Sequence, residues 1–260
     1  MSYQTLNVRR DGHLQIIGLN RPEKRNAFDS TMLGELAAAY GEFDTDDSLR
    51  VAVLYGEGTM FTAGLDLASV AGDIANNVSH VPEGGINPWQ VDGRQLSKPL
   101  VAAVHGKVLT LGIELMLAAD IAVAAESATF AQLEIARGIY PFGGATIRFP
   151  RAAGWGNAMR WMLTADTFDA AEAHRIGIVQ EVVPDGAHLG RAIEIAQTIA
   201  RQAPLGVQAT LRSARQAIRD GDAAAEADLV PTVQQLFTSE DAAIGVQAFL
   251  SRSTADFVGR

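Results

Sequence analysis

Cysteine is absent from this 260-residue chain. That excludes disulfides, thiolate metal sites and a cysteine nucleophile, and it fits a reducing compartment. Positive charge is also short: 21 Lys and Arg against 30 Asp and Glu give a net charge of −9. Such a balance argues against a polyanion-binding surface, so nucleic acid is not an expected partner and any basic site for a phosphate-bearing ligand must be local. The first residues, Met1-Ser2-Tyr3-Gln4-Thr5, lack a basic stretch followed by an apolar one. No secretory signal is visible, and a cytoplasmic location is expected. The longest apolar tract, Val108 to Ala125, is interrupted by Gly112, Glu114 and Asp120, and charges in hydrocarbon are costly. It reads as a buried helix followed by a buried strand, with no membrane partner.

Familiar catalytic signatures are missing too. There is no G-x-S-x-G elbow, no P-loop and no H-E-x-x-H, so a serine hydrolase of the usual kind, an NTPase and a zinc peptidase all lack their marks. Gly154-Trp155-Gly156 begins like a dinucleotide fingerprint, but no strand precedes it and Met159 stands where glycine is required; it reads as a helix junction. His13, His80, His105, His174 and His188 are scattered without ligand spacing. No metal is expected, and these histidines read as surface or structural, with His105 alone near the site described next.

What is present is ample apolar material, 48% of the residues, arranged as alternating strands and helices. Leu6 to Arg9 and Leu14 to Leu19, around a turn at Arg10-Asp11-Gly12, predict a hairpin. Asp29 is placed to cap a helix with Met32, Leu33, Leu36, Tyr40 and Phe43 at helical spacing. The short apolar runs Val51 to Tyr55, Val101 to Val104 and Ile121 to Ala124, separated by helices, predict a parallel sheet with right-handed crossovers. Asp169 and Glu172 form a capping box ahead of a stop at Gly177, and Ile178 to Val183 reads as a last strand. From Ala187 to Phe257 the texture is helical, punctuated by Pro204, Gly221, Pro231 and Ser239. Residues 1–186 therefore read as an α/β core, and 187–260 as a helical region for oligomerisation and for covering the site. Val70 to Ser97 is the least regular stretch, of a length that is usually functional or mobile.

Two apolar strands end in glycine-containing turns. One passes into Met60-Phe61-Thr62-Ala63-Gly64-Leu65-Asp66; the other into His105-Gly106 and on to Gly112-Ile113-Glu114. Helix starts leave N–H groups without intrahelical partners, and the helix dipole favours negative charge there. Two such ends facing each other would form an oxyanion hole. Taken singly, each glycine is explained as a turn residue. Glu114 lies among Leu111, Ile113, Leu115, Met116 and Leu117, which predicts a buried carboxyl with a raised pKa. Glu134 has two readings: a second functional carboxylate, or a surface partner of Arg137 three residues on.

At these residues the sequence resembles the crotonase, or enoyl-CoA hydratase/isomerase, superfamily from about Leu14 to Val183. Asn20-Arg21-Pro22 with Asn26-Ala27, Phe61 to Asp66, Lys98-Pro99, Ala102 to Gly106, Ala119-Asp120-Ile121, Phe130, Glu134-Ile135, Gly138, Pro141, Gly143-Gly144 and Arg148 follow the family's order and spacing. The resemblance implies an α/β spiral of ββα units with a helical C-terminal region, assembled as a homotrimer or homohexamer. It implies that the backbone N–H groups of Leu65 and Leu111 hold the thioester oxygen of an acyl-CoA, and that Glu114 and Glu134 are the catalytic pair of a hydratase. Lys24, Arg25, Ala27, Ala63, Gly64, Asp66, Leu67, Gly112, Trp89, Pro141 and Gly143 would contact the CoA ester. No separate cofactor is implied, because CoA enters as part of the substrate. Val78, Val81, Ile86, Pro88 and Trp89 are expected to wall the acyl chain.

The chain departs from the family at Leu109-Thr110-Leu111-Gly112, where many hydratases carry consecutive glycines. The N–H survives, but the added side chains would narrow the acyl pocket or shift the helix start. Three other classes stay open. An enoyl-CoA isomerase or acyl-CoA hydrolase would use the same hole with one essential glutamate. A non-catalytic acyl-CoA binder would gain nothing from two buried acids, and a structural assembly protein would show no thioester affinity.

Overall fold

The computed structural model describes residues 3–260; Met1 and Ser2, the start of the N-terminal reading, lie outside them. The chain opens with the hairpin β1 (Leu6–Asp11) and β2 (Leu14–Leu19). Next come a single turn at Pro22–Lys24 and α1 (Ser30–Thr45), whose first turn is capped by the Asp29 carboxylate accepting from Met32 N at 2.9 Å. Then follow β3 (Val51–Gly56), α2 (Leu67–Ala75), β4 (Leu100–Val104), β5 (Lys107–Leu109), α3 (Leu111–Ala118), β6 (Ile121–Ala125) and β7 (Thr129–Ala131). A second single turn, Ile135–Arg137, leads to α4 (Ala145–Ala153), α5 (Trp155–Thr164), β8 (Phe168–Asp169), α6 (Ala170–Arg175) and β9 (Glu181–Val183). The chain ends in α7 (His188–Ala200), α8 (Pro204–Asp220), α9 (Asp222–Leu236) and α10 (Glu240–Ser251).

The main sheet runs β1-β2-β3-β4-β6-β9, antiparallel only at the hairpin. Its inner strands are apolar on both faces, and the two-residue period sorts them between two cores. Ala52, Leu54, Ala102 and Val104 face α1 and α3. Val51, Val53, Val101 and Ala103 face Ala192, Ala196 and Ala200 of α7. Because α7 covers the sheet's second face, the helices that stand off from the sheet begin at α8 rather than at the change of texture near Ala187.

A smaller sheet, β5-β7-β8, is the part the sequence reading missed. Its strands have two or three residues each, too few for any periodicity to show. It exposes the repeat underlying the fold. β4-β5-α3 gives one strand to each sheet and then a helix; β6-β7 and the turn at Ile135–Arg137 do the same. β3 is followed by the bridge of Thr62 to Val108 of β5, and then by α2. The predicted spiral of ββα units is present.

Two expectations fail in detail. The last strand covers only Glu181–Val183, since Gln180 spends its side chain on Ala122 N and Gly177 O at the strand's approach. Pro231 does not break a helix; α9 runs through it, supported along its length by α8. Among the described residues no helix is long and apolar enough to cross a membrane.

Candidate active site

One cavity of about 90 Å³ is lined by residues from the same step of three successive repeats: Ala63 and Leu65, then Leu109 to Leu111, then Leu133 and Glu134. Each segment leaves the small sheet and enters a helix or helical turn, so the spiral stacks three helix starts around one space. At the first step, Phe28 takes both neighbours of Leu65: its N–H donates to Gly64 O at 2.8 Å and its carbonyl accepts from Asp66 N at 2.9 Å. Strand alternation turns the Leu65 N–H the other way. At the second, Leu111 is the first residue of α3, so its N–H has no intrahelical acceptor. Neither N–H donates to any protein acceptor among the described residues.

The two donor loops interlock through their glycines. A Cβ on Gly64 would meet Thr110 Oγ1 at 1.8 Å, and one on Gly112 would meet Thr62 Cγ2 at 2.6 Å. Gly64 also has φ +88°, a region L side chains avoid. Asn26 fixes the first loop from below. It is fully buried, and its amide donates to the carbonyls of Glu57, Met60 and Phe61.

Two carboxyls accompany the donors: Glu134 lines the cavity, and Glu114, three residues past Leu111 on α3, is not among its lining residues. Glu114 is wholly buried on α3, and one oxygen accepts from Ala145 N at the start of α4 (2.9 Å). Its other oxygen has no partner. Burial pushes this carboxyl up, while the N–H groups of Ala145, Gly143 and Gly144 and the Arg148 guanidinium pull it back. Glu134 is only 3% exposed, and neither of its oxygens has a partner. Burial, with the Glu114 charge adding to it, pushes Glu134 up to about 7, against the pull of backbone hydrogen bonding and Arg137. Near neutral pH one carboxyl is braced by N–H donors that favour its ionised form. The other sits at its titration midpoint.

Of the residues named from sequence, Ala63, Leu65, Leu67, Leu111 and Glu134 line the cavity. Glu114 lies beside Gly143, whose added Cβ would meet its free oxygen at 2.9 Å. Gly64 and Gly112 are the interlocking glycines, and Asp66 is the residue before α2. Pro141 is buried in the segment leading to α4. Lys24 and Arg25 close the turn at Pro22–Lys24, Arg25 accepting from Ala63 N at 2.9 Å, and the Ala27 carbonyl accepts from Arg21. Trp89 lies behind the hole rather than on the cavity wall: its indole N–H donates to Leu111 O at 2.9 Å and its ring meets Phe28 edge-on.

The stretch from Val78 to Trp89, expected to wall the acyl chain, contributes no residue to this cavity, although Trp89 packs against Gly143 beside Glu114. Ile86 and Trp89 are in the core and Val81 lies against α1, because Ile86 N bonds Ala37 O and draws this stretch across that helix. Apolar lining comes instead from Leu67, Leu109, Leu133, Ile139 and Phe142. Ile139 and Phe142, which the sequence reading did not single out, flank the Pro141 it did name. The surface pair of Glu134 with Arg137 does not form, Glu134 being buried without a partner. His105 does not line the cavity. It bonds Gly58 O and stacks on His188 of α7 at 4.6 Å, where burial and His105 hold His188 down at about 4.

Thr110 adopts φ 52°, ψ −122°, a conformation that suits glycine. Strain of this kind costs about 1–3 kcal/mol, part of which glycine returns through the looser unfolded chain. Thr110→Gly is expected to raise stability by about 1 kcal/mol, measured by denaturant titration. An equal or lower midpoint would show that the Thr110 side chain holds this backbone without strain.

Comparison with known proteins agrees with this geometry. Residues 9–260 match the family model for enoyl-CoA hydratase/isomerase. Enoyl-CoA hydratase EchA19 of Mycobacterium tuberculosis is 36% identical, over 97% of this chain and 96% of its own, and the 2,3-dehydroadipyl-CoA hydratase of Escherichia coli is 36% identical over 98% and 99%. Among solved structures, a probable enoyl-CoA hydratase/isomerase from Mycobacterium abscessus superposes with a TM-score of 0.99 at 78% identity, covering 100% of both chains. An enoyl-CoA hydratase from Mycobacterium tuberculosis superposes with a TM-score of 0.90 at 35% identity, covering 98% and 99%. Matched along nearly its whole length, with the spiral of repeats and the paired helix starts in place, the chain belongs to the enoyl-CoA hydratase/isomerase family.

Proposed function

We propose that this protein adds water across the C2–C3 double bond of a 2-enoyl-CoA thioester, giving a 3-hydroxyacyl-CoA. The observation that carries the reading is the set of three buried carboxyl oxygens without partners, one on Glu114 and two on Glu134, together with two free N–H donors. Tyr40, Gln132 and Trp161 also bury polar atoms without partners; the Glu114 and Glu134 oxygens differ in belonging to acids whose neutral forms burial favours, and Glu134 lines the cavity. The hydratase names of the full-length relatives support the same reaction.

The thioester oxygen is placed between the N–H groups of Leu65 and Leu111, where charge builds as C3 is attacked; such donors contribute a few kcal/mol to the transition state. Glu114, held by the Ala145 N–H, takes a proton from water through its free oxygen as the water oxygen bonds C3. Glu134, neutral below about pH 7, gives its proton to C2 as the enolate collapses. The two carboxyls then re-equilibrate one proton to restore the starting state. Water and the ester supply every atom, and CoA enters as part of the substrate. Lys24 and Arg25 bring local positive charge for its phosphates, and the assembled form is a homotrimer or a pair of trimers.

Crotonyl-CoA and its 3-enoyl isomer, followed by product chromatography, test the reading. The expected product from crotonyl-CoA is 3-hydroxybutyryl-CoA. Free CoA alone, or conversion of only the 3-enoyl ester to the 2-enoyl ester, would overturn it in favour of hydrolysis or isomerisation. The kcat profile is expected to fall on the alkaline side near pH 7 as Glu134 loses its proton, and on the acid side as Glu114 gains one. A rate that is flat from pH 6 to 9 would remove Glu134 from the proton-donor role.

A further inference from the structure

Arg137 is the one cation among the residues that line the catalytic cavity, and the hydration mechanism does not use it. It ends the turn that begins at Glu134, with its backbone fixed by a bond from its N–H to Glu134 O (2.9 Å) and by the left-handed Gly138 that follows. Among the described residues its guanidinium is paired with no carboxylate within 4.0 Å. Glu134, the one acid in the lining, does not pair with it and stays near its titration midpoint. Around it stand Leu67, Ile139 and Phe142, each somewhat more than a third exposed. The cavity thus has apolar walls and, at its mouth, one unspent guanidinium.

We infer that the enzyme's substrates carry an anionic oxygen at the far end of the acyl chain: a 2-enoyl-CoA ending in a carboxylate, which Arg137 binds. A methylene chain suits the walls, and a planar guanidinium takes a carboxylate with two parallel hydrogen bonds. The phosphates of CoA are the other possible source of anionic oxygen. They are separated from the reacting carbons by the whole pantetheine arm, whereas Arg137 lines the same cavity as Glu134, the carboxyl assigned to protonate C2. This inference rests on the hydratase reading above.

Two substrates of matched length separate the cases: hex-2-enoyl-CoA, and hex-2-enedioyl-CoA with its terminal carboxylate. The wild-type enzyme, Arg137→Gln and Arg137→Lys would be compared by the ratio of kcat/KM for the diacid to that for the neutral ester. The ratio is expected to fall about 10- to 100-fold in Arg137→Gln, the usual worth of a charge-assisted hydrogen bond, and to be partly restored in Arg137→Lys. Titration with the saturated esters, adipoyl-CoA and hexanoyl-CoA, reads the same ratio from Kd without turnover. Failure of the wild type to hydrate either enoyl ester would therefore count against the hydratase reading alone, and the Kd ratio would still decide the role of Arg137. An unchanged ratio in Arg137→Gln overturns the inference. So does an equal loss on both esters that disappears with the corresponding pantetheine thioesters, which would assign Arg137 to the CoA phosphates.

Discussion

Glutamine in place of Glu114 or of Glu134 is expected to slow hydration of crotonyl-CoA by about 10²- to 10⁴-fold, the usual contribution of a positioned acid or base, with binding of a saturated acyl-CoA nearly intact. The two variants should part company in stability. Burial pushes Glu134 up to about 7 in the folded protein, above the ordinary glutamate value of 4.5. The folded state thus holds this proton more tightly than the unfolded chain does. Its favourable contribution is complete below about pH 4.5 and is lost as the pH rises through about 7. Glutamine mimics the neutral carboxyl at every pH. Glu134→Gln should therefore be more stable than wild type by an amount that grows between pH 5 and 8 toward the order of 3 kcal/mol. Glu114→Gln instead places an amide where Ala145 N–H donates to a carboxylate. Near-normal turnover in either variant would remove that residue from the mechanism, and a pH-independent stability difference for Glu134→Gln would show that its carboxyl is not perturbed.

Charge on the outer helices is expected to dismantle the assembly. Val230, Val233 and Phe237 follow one another at helical spacing along α9 and are 61%, 43% and 71% exposed. Phe249 and Leu250 of α10 are 83% and 71% exposed. Exposed apolar side chains at this density on two helices suit a protein–protein contact. In a closed ring every copy repeats the fault, so if the wild type is the proposed trimer or hexamer, Val233→Asp combined with Phe237→Asp should yield monomers at micromolar concentration by light scattering. The sheet and its cover by α7 do not involve these residues, and the monomer should keep its circular dichroism. A wild-type monomer, or a double variant of unchanged mass, would show that α9 is not the interface.

The large sheet was legible because its strands are long enough to show a pattern: Val51 to Tyr55 and Val101 to Val104 are apolar throughout, as strands covered on both faces must be. Glu114 was legible for a related reason, since a lone charge among leucines has no solvent side to face. Distance in sequence hid the remainder. Nothing local in Thr129 to Ala131 announces a strand, because its partners are β5 and β8. Asn26 is visible in the sequence only as part of a family signature; its task shows when the carbonyls of Glu57, Met60 and Phe61 close around it. Val78 to Trp89 stayed ambiguous because apolar residues in an irregular stretch suit a ligand wall and a core equally well. The bond of Ile86 to Ala37 is what decides it.

The division of labour along the spiral has a consequence for how the protein can change. On the proposed mechanism the first two steps offer the substrate main-chain N–H groups, which every residue but proline possesses. Almost no single substitution at Leu65 or Leu111 can delete a donor, and the grip on the carbonyl is nearly immune to point mutation. The third step offers a side chain, Glu134, which one substitution removes. If the proposed reading holds, a substitution at residue 134 would abolish the reaction while leaving the grip on the thioester in place.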